Sequence, residues 1–262
     1  MWVVIAATVV IVIASVVIVV VSVSGGDDTT DAAPTSSSSS TTKASVPKTS
    51  RTATTKAAPP PPPVTPIAPD ALMGVLLTPP EVAGVFQVPA AIETQSGTDM
   101  IGGDSPIPLQ CRSVWAPAHK ETYDPTGSTG VARKTVRQDP ADDKGVVEAV
   151  VTYPDAAAAK AAVDAVVAAW KQCQYFEFTE SFGGSSINWK TGVVGDTDGV
   201  FTLLVFSRSQ LDSPQTSTDP NCQRAITADR NVVVDVLACS PKLGSEGYSM
   251  ARDIVQKIDV AP

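Results

Sequence analysis

From residue 156 to residue 173 the chain reads AAAAKAAVDAVVAAWKQC. Ala159, Val163, Val166, Val167, Trp170 and Cys173 recur at helical spacing on one face, with Lys160, Asp164 and Lys171 on the other. Tyr153-Pro154-Asp155 precedes this run and predicts the helix start, because an Asp side chain accepts from the exposed N–H groups of a first turn. GVVEAVVTY, just upstream, reads as a strand. A second helix start lies at Thr78, followed by Pro79 and by Glu81 three residues on: a capping box with proline in the first helical position. Val82, Val85 and Phe86 then face inward. The last helix begins near Ser245, with Gly247, Ala251, Ile254, Val255 and Ile258 as its stripe.

Two hairpins stand out between these helices. SSINWKTGVV and GVFTLLVFSRS flank the turn Gly195-Asp196-Thr197-Asp198-Gly199, and Val200 to Phe206 is apolar on both faces, as in a central strand. CQRAITADRNVVVDVLAC, residues 222 to 239, forms the other when a two-residue loop is placed at Arg230-Asn231. Asparagine tolerates the left-handed backbone such loops require. Asp229 then faces Val232, Ala228 faces Val233, Ile226 faces Asp235, Arg224 faces Leu237 and Cys222 faces Cys239. Arg224 and Asp235 become diagonal neighbours and form a structural pair. RSVWAP and GVARKTVRQ read as further strands, and residues 87 to 110, rich in Gly, Pro and Ser, as loop. The predicted class is α+β, a largely antiparallel sheet with flanking helices.

The pattern changes abruptly at the N-terminus. Met1 to Val23 is apolar except for Thr8, Ser15 and Ser22, long enough for a transmembrane helix, which needs about 20 residues. A removed signal peptide is the alternative, with Ser22-Val23-Ser24 as a weak cleavage site. No cysteine lies nearby for a lipoprotein anchor. The segment lacks a basic flank, which leads to the expectation of a cytoplasmic head ahead of Met1. Residues 24–68 are Ser, Thr, Ala and Pro with almost no large apolar side chain, and five consecutive prolines, Pro59 to Pro63, favour an extended form. They read as a disordered stalk suited to O-glycosylation, with proline-reading domains as the other reading. Residues 69–262 are left as one folded domain.

The chain has four cysteines. Opposite placement in the hairpin predicts a Cys222–Cys239 bridge, with two buried thiols as the other reading. Cys111 and Cys173 pair by elimination, although four cysteines allow three connectivities that spacing cannot separate. Two disulfides mean an oxidising compartment. The formal net charge of -8 belongs to the folded domain, because the stalk is slightly basic. That argues against nucleic-acid binding.

Motifs for catalysis are missing. His119 is the only histidine, and its polar surroundings predict exposure without a role. There is no GxSxG around any serine, no HExxH, no P-loop and no GxGxxG. Asp196-Thr197-Asp198-Gly199 lacks the further carboxylates of a Ca²⁺ loop and reads as a turn. Asp142-Asp143 reads as solvated loop charge. The expectation is therefore a non-enzyme with no cofactor or metal. For binding, Trp115, Tyr123 and Trp189 supply aromatic faces outside the obvious core stripes, and Arg208 a cation for an anionic group. Together they are expected to line a cleft, ordinary half-buried packing being the alternative.

The order of these features resembles a known family. An apolar helix, a Pro/Ser/Thr stalk, LLTPPEV, a first cysteine, YPDAAAAKAAVDAVVAAWKQC, CQRAITADRNVVVDVLAC and a final helix are similar to the PknH-like extracellular sensor domain of mycobacteria and related actinobacteria, over residues 70 to 260. The resemblance implies a mixed sheet flanked by helices, two disulfides carried by Cys111, Cys173, Cys222 and Cys239, and a cleft for an unidentified extracellular ligand. The 262 residues hold no kinase domain, so a signalling output is expected from a missing head, from a partner, or not at all. The expected function is a membrane-tethered extracytoplasmic sensor or ligand-binding domain at the plasma membrane. A passive envelope or adhesion protein, with a protein partner, is the alternative, and a secreted hydrolase a third.

Overall fold

The computed structural model describes residues 65–103, 105–139, 144–182, 185–214 and 217–261. The apolar N-terminal segment, and all of the stalk except residues 65–68, lie outside the described residues; among those described, no helix is long and apolar enough to cross a membrane.

Eight strands form one sheet: β1 Ala91–Gly97, β2 Gly130–Gln138, β3 Gly145–Thr152, β4 Glu177–Phe182, β5 Ser185–Thr197, β6 Val200–Ser207, β7 Asn221–Asp229 and β8 Val232–Ser240. Their order is β1-β2-β3-β8-β7-β6-β5-β4. Every pairing is antiparallel, which corrects the mixed sheet the family resemblance implied. Two meanders, β1 to β3 and β4 to β8, thus join where β3 meets β8. The helices are α1 Leu72–Val75, α2 Pro79–Phe86, α3 Lys120–Tyr123, α4 Ala156–Gln172, α5 Arg208–Asp212 and α6 Glu246–Asp259.

The period of two along each strand feeds two separate cores. Ala149 and Val151 of β3, Val233 of β8, Ile226 of β7 and Leu203 and Val205 of β6 face α4 and the 3-10 helix Leu109–Val114. Val146 and Val150, Val232, Val234 and Val236, and Ala225 face α1, α2 and α6. A sheet covered on both faces needs apolar residues at successive positions, which explains the valine run of β8. β6 is an interior strand, but β8 rather than β6 is the most completely buried.

Local signals match where they are strong. The Asp155 carboxylate accepts from Ala158 N at 2.8 Å, and the Glu81 carboxylate accepts from Thr78 N at 2.6 Å. Asp198 and Gly199 both have positive φ and make the tight β5–β6 turn. Gly247 lets α6 approach the sheet, since a Cβ there would lie 2.8 Å from the Gln223 carbonyl oxygen.

The β7–β8 register is the one the sequence predicts, residue for residue. The turn differs in one respect. Arg230, not Asn231, carries the positive φ. The Asn231 side chain is instead buried: its Oδ1 accepts from Ile67 N at 2.7 Å and its Nδ2 donates to the carbonyls of Ile67 and Tyr153 at 3.0 Å. Ile67, two residues ahead of the boundary read from composition, is already part of the body. Two further expectations fail. RSVWAP holds no strand, its first three residues ending a 3-10 helix, and the presumed loop at 87–110 contains β1.

Candidate functional site

α4 covers one half of its sheet face, the half nearest the Arg230–Asn231 turn. Among the described residues, the other half is roofed by Ile101 and by Trp115-Ala116-Pro117. Beneath that roof is a groove of about 430 Å³, within the usual range for small-molecule sites. Its floor is drawn from Thr135 and Arg137 of β2, Gly145 and Val147 of β3, Leu237 and Cys239 of β8, Cys222 of β7, and Ile187 and Trp189 of β5.

The roof is held by covalent and polar ties. Cys111, in the 3-10 helix, is bonded to Cys173 at the end of α4, with Cα atoms 5.6 Å apart. Trp170 of α4 donates its Nε1–H to the Ser113 carbonyl at 2.9 Å. Further along, Asp235 of β8 accepts from Ala118 N at 3.1 Å and from the Tyr123 hydroxyl at 2.7 Å, and pairs with Arg224. Burial raises the Asp235 pKa, against the opposing pull of Arg224, Tyr123 and the Ala118 amide. Burial and then Asp235 push the Tyr123 hydroxyl well above its ordinary range, so it stays a donor. The Arg224 guanidinium also lies 5.5 Å from the centre of the Trp170 ring.

The second disulfide, Cys222–Cys239, spans paired positions of β7 and β8 with Cα atoms 4.0 Å apart, and forms part of the groove floor. Both bridges join the cysteines as the sequence reading paired them.

Trp115 and Trp189 come together, ring centres 4.8 Å apart, and Phe178 meets Trp115 edge-on at 5.5 Å. The Trp189 Nε1 is buried and has no acceptor among the described residues. Of the four residues expected to form a cleft, these two tryptophans border the groove, Trp115 half-buried and Trp189 a core residue only 2% exposed. Tyr123 is 1% exposed and lies behind the roof, its hydroxyl taken by Asp235. Arg208 sits on α5 outside the groove, paired with Glu177 and Asp212, each at 3.3 Å. The cation at the groove is Arg137, which sequence reasoning missed. The available signal was the period of β2: Arg133, Thr135 and Arg137 share one face of GVARKTVRQ.

His119 is buried rather than exposed, and its Nδ1 has no partner among the described residues. Burial, and then Arg112, lower its pKa, so the ring is neutral near pH 7. Glu148 is a second unforeseen feature, a fully buried carboxylate on the opposite face of β3. Its Oε2 accepts from Leu77 N at 3.2 Å, and burial pushes its pKa to about 8.

Disulfide ties, an antiparallel sheet with helices on both faces, and an aromatic-walled groove define an extracytoplasmic type of α+β domain. The chain belongs to the family described as the PknH-like extracellular domain, whose profile matches residues 67–258. It is 27% identical over 200 residues to the serine/threonine-protein kinase PknH of Mycobacterium tuberculosis, a match covering 74% of this chain and 30% of that kinase. The Mycobacterium bovis kinase of the same name gives 27% identity over 200 residues, covering 74% of this chain and 32% of the kinase. The chain thus spans about a third of the length of these relatives. The crystal structure of the extracellular domain of PknH from Mycobacterium tuberculosis has the same fold, with a TM-score of 0.66 at 24% identity, covering 74% of this chain and 98% of that one.

Proposed function

We propose that the domain is a membrane-tethered extracytoplasmic sensor that binds a small ligand and passes the event to a partner without catalysing a reaction itself. The observation that carries this reading is the groove: apolar and aromatic walls, one cation, and a roof fixed by disulfide and hydrogen bonds. Such sites bind by burying a ligand against a preformed surface. Family membership supports an extracytoplasmic location. The apolar segment Met1 to Val23 is read as the anchor, and residues 24–68 as the spacer.

The test is to extract compounds from protein purified from its own cell envelope, add them back, and follow the melting temperature. A saturable rise is expected for the natural chain, and none for Val147→Trp, which fills the groove floor. If no envelope fraction shifts the melting temperature of the natural chain, the ligand-binding reading is wrong.

A further inference from the structure

The chemical class of the ligand follows from the shape and charge of the groove; this step rests on the groove being the ligand site argued above. The lining comes from β2, β3, β8, β7 and β5, so the slot runs across the strands rather than along them. With neighbouring strands about 4.8 Å apart, the five intervals from β2 to β5 span roughly 24 Å. A cavity that long with a volume of only about 430 Å³ is narrow.

Its two ends differ. Arg137 stands at the β2 end, exposed and with no ion-pair partner among the described residues. Arg133, on the same face of β2, is neutralised by Asp99 at 3.1 Å. At the β5 end are the rings of Trp115 and Trp189. Between them lie Val147, Leu237 and the Cys222–Cys239 bridge. Arg137 is the only charged side chain among the described lining residues. A glycan needs many polar partners, which this wall lacks, and a two-chain lipid needs a wider slot.

We propose that the groove takes an extended, single-chain carboxylic amphiphile. The carboxylate sits at the Arg137 guanidinium, and the chain crosses β3, β8 and β7 to end against Trp115 and Trp189. Arg suits this head because its planar fork matches a carboxylate.

The probe is a long-chain fatty acid carrying a diazirine at its far end, photolysed with the full chain in detergent, together with its methyl ester. Peptide mapping reads where the label lands. With the acid, labelling is expected at residues 115–117 and 187–189. Arg137→Gln should reduce that labelling about tenfold at sub-saturating probe, the scale of one charge-assisted contact. Arg137→Lys, which keeps the charge but not the fork, should fall between the natural chain and Arg137→Gln, and Arg208→Gln, outside the groove, should not change it. The ester should label those peptides as weakly as the acid does in Arg137→Gln. Labelling confined to the apolar N-terminal segment overturns the proposal. Equal groove labelling by acid and ester, or labelling indifferent to Arg137→Gln, overturns the carboxylate assignment. The melting experiment with Val147→Trp still judges the groove by itself in either case.

Discussion

Glu148 is the residue whose energetics depend most directly on pH. Its pKa rises from 4.5 in the unfolded chain to about 8 in the fold, because burial penalises the carboxylate more than the Leu77 amide, Lys134 and Lys257 relieve it. The folded protein therefore holds a proton that the unfolded chain has lost across this interval. Stability from this group is fully present below about pH 4.5, declines as pH rises, and is gone once pH passes about 8. Its span is on the order of a few kcal/mol. Glu148→Gln should flatten the decline, so that urea midpoints of the variant exceed those of the natural chain at pH 9 and approach them at pH 5. A variant profile parallel to the natural one would falsify this account. Asn231 makes a simpler prediction. Its side chain satisfies three buried backbone groups of Ile67 and Tyr153. Asn231→Ala should cost about 2–4 kcal/mol in chemical unfolding, and should expose the Ile67 amide to hydrogen exchange. Residues of this kind are hard to read from a sequence. Glu148 sits in GVVEAVVT as one polar letter among valines, and Asn231 reads as an ordinary turn residue. What buries them is contributed by segments 71 and 164 positions away.

At the scale of elements, the two bridges differ in the loops they close. Cys111–Cys173 spans 62 residues and Cys222–Cys239 spans 17. Chain entropy then predicts losses of about 4 and about 3 kcal/mol for the Cys111→Ser/Cys173→Ser and Cys222→Ser/Cys239→Ser variants. The first pair also anchors the groove roof, so only its loss should quench or shift Trp115 and Trp189 fluorescence strongly at temperatures well below melting. Equal spectra for both variants would argue against the roof being held from Cys111. Elements with local signatures were legible beforehand: α2 and α4 from their caps, α6 from its stripe, and β7–β8 from hairpin arithmetic. β1 was not, because it is an edge strand with Ile92 to Ser96 exposed and shows no buried alternation. The 3-10 helix was misread because Val114 and Trp115 suggest a strand, whereas a disulfide and Trp170 dictate the backbone there. Half of the expected cleft, Trp115 and Trp189, came from aromatics that did not belong to a helical stripe. Tyr123 and Arg208 look equally available in sequence, and only tertiary packing separates them from the groove.

For the whole molecule, the proposed topology puts a protease-resistant body outside the cell on a cuttable spacer. Trypsin added to intact cells should cleave at Lys43, Lys48, Arg51 or Lys56 and release a fragment that includes Ile67 and resists further digestion until it is reduced. Failure to release any fragment from intact cells, with release after lysis, would place the body on the inner side. The β7–β8 hairpin also has a mechanical consequence. Its turn grips Ile67 through Asn231 and, through Arg230, the carbonyls of Ile258 and Ala261, while its other end carries the Cys222–Cys239 rung. Under the proposed tether, tension would meet the hairpin at its bend, where the Asn231 and Arg230 hydrogen bonds take the load first. The sulfur rung, about 25 Å further along the strands, is itself part of the groove floor and keeps its two strands tied together there whatever happens at the bend. The body can give ground under load at one pole while its binding surface keeps its shape.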